Sequence, residues 1–356
     1  MAMPLEVQIL YTRRAYFGAH SGIQQFIPYL DPTRIHSHVR SVADLDDDRS
    51  PRLPFRHERA RAVTRRFVQR RGQAYYKLSD FAAETAVLPR MLAGRIDVLH
   101  FVDGEHTAQF LPAIARRLRI CGRTVATYHQ SPAVLPQVVV PDIVRNIDHV
   151  TLVSSSQLEW FDRVLPPERL TVVPHGVDVT FFAPDTARRA SDAFRCITTG
   201  SYLRDWPLLG DIACSLMARR DVEFHVVSGS APAFESLPNV TVHRGIADDA
   251  LRELYQASDL LLLPLTDATA NNSLLEAMAS ALPVVASDLP SLREYAPADA
   301  AVFLPRHAEA FTEAIVRLAA NPVRRDAMGH AARSRAEELA WPRVADTYAT
   351  LYESLA

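Results

Sequence analysis

The sequence predicts an α/β protein built from two doubly wound domains. Short apolar runs alternate with longer amphipathic stretches along nearly the whole chain, which is typical of parallel sheets covered by helices on both faces. A polar, proline-bearing stretch at residues 181–194 separates two such series, and we interpret it as an interdomain linker. At 356 residues the chain is long enough for about two ordinary domains.

The elements follow in order along the chain. In the first series the predicted strands are residues 5–11, 97–102, 124–128, 149–153 and 170–173. In the second series they are residues 195–199, 223–227, 259–263, 284–287 and 301–304. Helical patterns occupy residues 107–118, 207–218, 249–257 and 308–319. We therefore expect a first domain at residues 1–178 and a second at residues 179–340, facing each other across a cleft.

The tail, residues 341–356, is predicted to be a helix because four apolar side chains fall on one helical face. These are Val344, Tyr348, Leu351 and Leu355. The helix either packs on the second domain or crosses back to the first.

Composition gives the protein class. Apolar residues make up 48% and charged residues 22% of the chain, which is typical of a soluble globular protein. The net charge of -2 gives no general preference for nucleic acid. The cysteines lack metal or redox spacing, the N-terminal residues lack a secretion-signal layout, and no run of about 18 apolar residues occurs. We expect a cytoplasmic protein.

In doubly wound sheets ligands bind beyond the carboxyl ends of the strands, so the loops there are the candidate ligand-binding segments. After the first strand, Gly18 and Gly22 permit a tight turn, and a helix start near Ser21 offers N–H groups to an anion. An ordinary turn explains the same residues. After residues 124–128, His129 is placed to donate to a sugar hydroxyl or phosphate, or is a structural histidine whose bonds are satisfied.

Two loops of the second series carry similar signals. Gly200 permits a sharp exit from its strand, and Arg204 can bind a phosphate through two N–H groups, although a surface pair with Asp205 is equally consistent. Farther on, Ile246 lies in a loop before a helix capped by Asp248. Its backbone can pair with the edge of a planar base, or the segment is simply a loop.

The stretch NNSLLEAMASALPVVASD, residues 271–288, places polar side chains at the start of an apolar helix. One hypothesis is a capping box, in which Ser273 covers a first-turn amide and Glu276 reaches back to the cap amide. The other leaves the first-turn amides for a diphosphate, while Glu276 accepts two hydrogen bonds from a diol such as ribose. The two hypotheses compete for the same atoms.

Several motifs in order resemble glycosyltransferase family 4, the retaining sugar-nucleotide transferases with the GT-B fold. VPHGVDVTFFAP is similar to the family's hinge segment, and SLLEAMASALPVVASDLPSLREY to its nucleotide-binding segment. TYHQSP, VTLVSSSQLEWF and LRELYQASDLLLLPL lie at the expected places between them. The resemblance covers most of residues 95–350 and implies two Rossmann-like domains.

The resemblance also implies a donor site. Glu276 would hold the ribose hydroxyls, and Asn272, Ser273 and Leu274 would offer backbone amides to the diphosphate or the sugar. Arg204, at the strand exit made by Gly200, would balance the diphosphate charge. The remaining assignments put the Ile246 backbone on the base, His129 on the donor sugar and Gly22 against the phosphates or the acceptor.

The chain departs from the family pattern at several positions. Ala268 replaces a glutamate, and Asn271 and Asn272 replace a Phe-Gly pair, so either asparagine becomes the candidate for holding the donor sugar as a catalytic residue. Ser201 and Trp206 replace an arginine and a lysine, which leaves Arg204 as the best phosphate partner and Arg293 as a poorer one. Ala281 replaces a glycine, at a cost of about 1 kcal/mol if its backbone is left-handed.

The expected reaction is retaining transfer by front-face attack, from a UDP- or GDP-sugar to a carbohydrate, lipid-linked or small-molecule acceptor in bacterial glycan or glycolipid synthesis. No metal and no cofactor besides the co-substrate is expected, since Asp44, Asp46, Asp47 and Asp48 lack a second ligand cluster. A sugar-nucleotide epimerase and a non-catalytic sugar-nucleotide binding protein are the alternatives.

The segment from Arg49 to Arg71 is rich in arginine and has an apolar side that includes Val63 and Phe67. A basic amphipathic helix can lie on anionic lipid, which would suit a peripheral protein at the inner face of a membrane. A solvated surface and an anionic acceptor site are the other interpretations. Nucleic acid is disfavoured because no aromatic-rich surface or nucleic-acid motif accompanies the arginines.

Overall fold

The computed structural model describes residues 3–14, 18–43, 57–70, 72–120, 122–185, 193–232, 234 and 237–356. The chain divides into two compact units. Unit 1 comprises Met1–Phe17, Ile23–His175 and Pro342–Ala356, and unit 2 comprises Gly18–Gly22 and Gly176–Trp341. The sequence predicts a boundary between residues 178 and 179, whereas in the structure it lies between His175 and Gly176. Residues 18–22, expected in the first domain, belong to unit 2.

Unit 1 contains a six-stranded sheet in which every described strand pair is parallel. Its strands are β1 (Leu5–Arg13), β2 (Ile35–Ala43), β3 (Val98–Phe101), β4 (Arg123–Tyr128), β5 (His149–Leu152) and β6 (Leu170–Val172). Their order across the sheet is β2-β1-β3-β4-β5-β6. The inner strands are short apolar runs, and all four residues of β3 are buried, as expected for a parallel sheet covered on both faces.

The helices of unit 1 lie between these strands. They are α1 (Glu58–Gln69), α2 (Leu78–Leu92), α3 (Gly104–Thr107), α4 (Leu111–Leu118), α5 (Leu135–Val138), α6 (Pro141–Val144) and α7 (Leu158–Phe161). Short 3-10 segments occupy Ile23–Tyr29, Ser155–Gln157 and Pro167–Arg169. The predicted helix at 107–118 begins four residues late, because Pro112 favours the first turn of a helix and the buried Glu84 carboxylate accepts the amide of Leu111 there.

Unit 2 contains a second six-stranded parallel sheet, with strand order β12-β11-β10-β7-β8-β9. Its strands are β7 (Phe194–Thr199), β8 (Val222–Val227), β9 (Val240–His243), β10 (Leu260–Leu263), β11 (Val284–Ser287) and β12 (Ala301–Leu304). Strands β10 and β7 are neighbours at the centre of the sheet, and from there the later strands extend to one side and β8 and β9 to the other. Doubly wound sheets bind ligands at such a point, beyond the carboxyl ends of the strands.

The helices of unit 2 complete its two faces, and one further helix ends the chain. They are α8 (Trp206–Ser215), α9 (Asp248–Ala257), α10 (Asn272–Ala279), α11 (Pro290–Tyr295), α12 (Ala308–Ala319), α13 (Pro322–Glu338) and α14 (Trp341–Leu355). None of the helices in the described part of the chain combines the length and apolar character that a membrane crossing requires.

All ten predicted strands are present, with ends within two residues of those expected. Two strands of the described residues, β2 and β9, are not among those ten, and both lie at the edge of a sheet. The exposed positions of β2 include His36, Val39 and Arg40, so no apolar run marks it. In the predicted linker, residues 186–192 lie outside the described residues.

Helix α14 forms part of unit 1 from Pro342 onward. The Tyr352 hydroxyl lies 2.7 Å from Nδ1 of His100 in β3, and the ring of Tyr348 stacks on Phe26 at 4.5 Å. Burial lowers the pKa of His100 to about 3, so the imidazole is neutral and bonds the Tyr352 hydroxyl as an uncharged group. The helix is thereby fixed to the first sheet through its buried face.

Candidate functional site

Helix α10 follows the central strand β10 and begins with a side-chain cap supplied by Asn271. The Asn271 backbone is extended, and its Oδ1 accepts a hydrogen bond from the Leu274 amide at 3.1 Å. This is the ordinary N-cap arrangement. The capping-box hypothesis, with Ser273 as the cap, is therefore wrong. Asn271, expected to hold the donor sugar, has its side-chain oxygen engaged by the helix, and the Leu274 amide is engaged as well.

Glu276 points away from the cap and into a polar cluster. Its Oε1 accepts a hydrogen bond from the Ser21 hydroxyl at 2.7 Å, and its Oε2 accepts one from the Tyr255 hydroxyl at 2.9 Å. The Tyr255 hydroxyl also lies 2.7 Å from Oγ1 of Thr199 at the end of β7. Glu276 is only 6% exposed, and burial raises its pKa to about 7. The carboxyl is thus presented to hydroxyl groups at both oxygens.

Arg204 lies beside the first turn of α10. Its guanidinium donates to the carbonyls of Thr199 and Tyr202 and, at 2.9 Å, to the Ser273 hydroxyl. Burial lowers its pKa to about 10, which leaves the group charged at neutral pH. Within the described part of the chain no carboxylate forms an ion pair with it. Arg204 is half-buried, and an anionic ligand there would offset the cost of removing its charge from water.

The surface pair between Arg204 and Asp205, considered from the sequence, is not formed. The Asp205 carboxylate accepts the Leu208 amide at 3.2 Å, which caps α8, and it accepts Nε of Arg306 at 2.8 Å. Arg204 is left facing Ser273 and the backbone of β7.

The positive character of the α10 start has two further sources. The amides of Asn272 and Ser273 belong to the first helical turn, where no intrahelical acceptor exists, and the helix dipole is positive there. The Ser273 hydroxyl donates to the Thr199 carbonyl at 3.0 Å and so holds this turn against β7. The structure therefore brings together Gly200, Arg204, Ser273 and Glu276.

Gly200 has a φ of +83°, and a Cβ built there would lie 2.7 Å from Nη2 of Arg204. We expect Gly200→Ala to lower the free energy of unfolding by about 1–2 kcal/mol through the left-handed backbone, and to displace the guanidinium. Thermal unfolding and anion binding measure the two effects. Gly245→Ala is the matched control, because its φ is +61° but no atom lies within 4 Å of its Cβ position. Equal anion affinity in the two variants would contradict the prediction.

The segment Gly18–Gly22 contributes to the same unit. The Ala19 amide donates to Oδ2 of Asp248 at 2.6 Å, and a Cβ on Gly18 would collide with that carboxylate. Gly22 has a φ of +96°, as a tight turn requires. Asp248 was expected to cap α9, but the N-cap is Ala247 without a side-chain bond. Ile246 is half-buried after Gly245, and its contact with a base stays a prediction.

His129 belongs to unit 1 and follows β4. Its Nε2 lies 2.7 Å from the Val102 carbonyl, so this nitrogen donates, and the adjacent Gln130 amide donates to Glu105 at 2.8 Å. This bonding fits the structural interpretation of His129 and fixes the orientation of its ring. Its contact with a donor sugar stays a prediction.

The remaining departures from the family pattern are accommodated within unit 2. Ala268 is buried, with its carbonyl accepting the Ser291 hydroxyl at 2.8 Å. Arg293 pairs with the exposed Asp288 at 2.6 Å. Arg293 therefore forms a surface ion pair, whereas Arg204 contacts the first turn of α10 and stays the better candidate for a phosphate partner. Ala281 has a φ of +59°, so the left-handed backbone considered for this position is present.

Sequence reasoning missed the contacts of Ser21, Thr199 and Tyr255 with the cluster. The available signal was Tyr255, because a tyrosine on the buried side of a helix needs a partner for its hydroxyl. The partner itself was not predictable from local patterns, since Glu276 is 21 positions away.

Two models of glycosyltransferase families match parts of this chain. Residues 18–181 match the model described as Glycosyltransferase Family 4, and residues 202–321 match the model described as Glycosyl transferases group 1. The chain is 27% identical over 226 residues to the MMP alpha-(1->4)-mannosyltransferase of Mycolicibacterium hassiacum. That alignment covers 59% of this chain and 55% of the relative, so it spans about half the relative's length.

Solved structures share the whole architecture. Sucrose-phosphate synthase from Thermosynechococcus elongatus matches with a TM-score of 0.72 and 18% identity, covering 98% of each chain. Anabaena HepE in complex with UDP matches with a TM-score of 0.69 and 12% identity, covering 98% of this chain and 100% of that one. The fold is therefore the predicted GT-B fold of two Rossmann-like domains. Two family models, described as Glycosyltransferase Family 4 and Glycosyl transferases group 1, thus match consecutive parts of the sequence, and the chain is of the glycosyltransferase type.

Proposed function

We propose that the protein is a retaining glycosyltransferase that moves a sugar from a nucleotide-sugar donor to a hydroxyl acceptor. The observation that carries the proposal is the half-buried Arg204 guanidinium, which contacts the first turn of α10 and forms no ion pair with a carboxylate among the described residues. A diphosphate supplies the missing negative charge, and the amides of Asn272 and Ser273 supply further donors to it.

The surroundings of Glu276 support a nucleotide as the ligand, rather than a diphosphate alone. Both oxygens accept hydrogen bonds from hydroxyl groups, which is the chemistry of a ribose diol. On donor binding, one ribose hydroxyl takes the place of the Ser21 hydroxyl at Oε1, while Tyr255 continues to hold Oε2. The carboxyl is rigid because Tyr255 is itself bonded to Thr199.

The chemistry follows from the charges at the site. Breaking the sugar–phosphate bond develops negative charge on the departing diphosphate, and Arg204 with the first-turn amides stabilises that charge. In front-face attack the same diphosphate accepts the acceptor hydroxyl's proton, so no carboxylate nucleophile is required. Asn272 contacts the donor sugar in this proposal, together with His129. No catalytic metal is proposed, and Asp44, Asp46, Asp47 and Asp48 lie outside the described residues.

A donor panel tests the proposal. The names of the relatives suggest its members, since one is a mannosyltransferase and HepE was solved with UDP and with glucose. The protein is incubated with GDP-mannose, UDP-glucose, UDP-galactose and ADP-glucose, with and without simple sugar acceptors, before and after EDTA treatment. Transfer, or donor hydrolysis that survives EDTA, supports the proposal, and retained anomeric configuration is read by NMR. An isomerised donor indicates an epimerase, and binding without product a binding protein.

We also propose that α1 contacts an anionic membrane surface, which would bring a lipid-linked acceptor to a cytoplasmic enzyme. The described part of the arginine-rich segment is residues 57–70, while residues 49–56 and 71 lie outside it. Exposed residues on one face of the helix are Arg59, Val63, Arg66, Phe67 and Arg70. Val63 is 69% and Phe67 64% exposed, so apolar side chains lie among the arginines.

We expect the protein to sediment with vesicles containing phosphatidylglycerol and to remain in solution with phosphatidylcholine alone. The double variant Val63→Glu, Phe67→Glu should reduce the bound fraction at least tenfold, because it removes the apolar contacts and adds like charge. Val323→Glu is the matched control, since Val323 is 78% exposed on α13. Undiminished binding of the double variant would refute the proposed contact.

A further inference from the structure

Outside the donor site, the edge of the first sheet brings together two histidines and a glutamate. In the parallel pairing of β1 and β2, Glu6 lies opposite His36, and His38 follows two positions along on the same face. Nδ1 of His36 lies 2.8 Å from Oε1 of Glu6, and Nε2 of His38 lies 2.6 Å from Oε2. Each histidine therefore lies within hydrogen-bond distance of a different oxygen of the Glu6 carboxylate.

These atoms have the composition and spacing of a metal-ligand set. One ligand atom from each residue lies within 4.8 Å of the others. Two imidazoles and a carboxylate are a ligand set that Zn²⁺ uses, at bond lengths of about 2.0–2.2 Å and with a water in the fourth position. We propose that Glu6, His36 and His38 bind one Zn²⁺ ion.

Neighbouring side chains hold the backbone of Glu6 and of His38 in place. The Glu6 amide donates to Oδ2 of Asp97 at 2.8 Å, and the Gln8 side chain donates to the His38 carbonyl at 2.7 Å. The site is open to solvent, because the side chains of His36, His38 and Glu6 are 59%, 28% and 37% exposed. An ion can therefore enter without local unfolding.

The metal would join the edge strand β2 to β1. A cross-link between these strands stabilises unit 1 through binding to the folded state alone. One neighbouring charge opposes it, since Nη2 of Arg90 lies 3.4 Å from Oε2 of Glu6. Because the Arg90 cation would repel a bound Zn²⁺ ion, we expect that removing the Arg90 charge tightens zinc binding.

A second pair of histidines gives an internal comparison. In unit 2, Nδ1 of His225 lies 3.0 Å from Nε2 of His243, and Glu223 lies 3.7 Å from the other nitrogen of His225. The carboxylate is thus beside the ring nitrogen that faces away from His243. These three residues cannot enclose one ion with the atoms as they lie, so the proposal assigns zinc to the unit 1 cluster.

Isothermal titration of the EDTA-treated full chain with zinc chloride tests the proposal. We expect one ion per chain, at least tenfold weaker binding in His36→Ala and in His38→Ala, and tighter binding in Arg90→Gln. His330→Ala is the control, since His330 is an exposed histidine on α13. Circular dichroism and thermal unfolding of each metal-free variant establish that it is folded. Replacing zinc by cobalt should give the intense visible absorption of a four-coordinate site, which His36→Ala loses.

Two results would overturn the proposal. One is absence of zinc binding by the folded wild-type chain at 100-fold excess of metal. The other is binding that is unchanged in the folded double variant His36→Ala, His38→Ala, which would place the ion elsewhere. Neither measurement depends on sugar transfer, so either proposal can be refuted while the other is supported.

Discussion

Arg204→Met should weaken binding of the nucleoside diphosphate that the protein prefers by about 100-fold. The substitution keeps an unbranched side chain but removes a half-buried positive charge that contacts the α10 turn. Charge-assisted hydrogen bonds contribute about 1.5–3 kcal/mol each, and about 1.4 kcal/mol corresponds to tenfold in affinity. Isothermal titration with UDP, GDP and ADP measures the loss. Circular dichroism establishes that the variant is folded, because Arg204 also donates hydrogen bonds to the Thr199 and Tyr202 carbonyls.

Two further variants separate the effect of the Arg204 charge from that of its geometry and provide a control. Arg204→Lys should restore the charge but only part of the affinity, because an ammonium group cannot reproduce the guanidinium's several fixed N–H donors. Arg293→Met is the matched control, since Arg293 forms an exposed pair with Asp288. Nucleotide affinity that is lost equally in the Arg204→Met and Arg293→Met variants would show that the phosphate partner has been misassigned.

Glu276→Gln should lower nucleotide affinity at least tenfold while raising stability at alkaline pH. Burial raises the pKa of Glu276 from 4.5 to about 7, so the folded state retains a proton that the unfolded chain releases. The resulting destabilisation is absent below about pH 4.5, grows as the pH rises to about 7 and is constant above it. At roughly 1.4 kcal/mol per pKa unit it amounts to about 3 kcal/mol. The melting temperature of the variant should therefore exceed that of the wild type more at pH 8 than at pH 5.

Glu84→Gln is an informative control for this pH effect. Burial also raises the pKa of Glu84 to about 7, but its carboxylate accepts the amides of Gln109, Phe110 and Leu111 at the start of α4. A glutamine presents an N–H group to these donors, so we expect destabilisation at both pH values. If Glu276→Gln behaved in the same way, or kept full nucleotide affinity, Glu276 would be a structural residue.

The fold was largely predictable from the sequence because of burial. The strand β10 is four consecutive leucines, Leu260–Leu263, all buried, and a run of this kind is recognisable without any knowledge of its neighbours. The edge strand β2 offers no such run, since one of its sides faces solvent. Its pairing depends on the neighbouring strand β1, which local patterning does not reveal.

For the cluster at the start of α10, the sequence indicated Arg204, Ser273 and Glu276 as members but not the bonds between them. Asn271 and Ser273 are both competent N-caps, and the sequence could not decide which one caps α10. The choice depends on Thr199 and Arg204, which hold the Ser273 hydroxyl away from the cap position. The direction of Glu276 likewise depends on Ser21 and Tyr255, which are distant in the sequence.

The place of α14 has a consequence for how the chain is made. Because residues from Pro342 onward pack in unit 1, the first sheet receives its last helix only after all of unit 2 has left the ribosome. Until then His100 and Phe26, which contact Tyr352 and Tyr348, lack these partners on the nascent polypeptide. Unit 2 has no comparable delay, so it can complete its folding first although most of its residues are translated later.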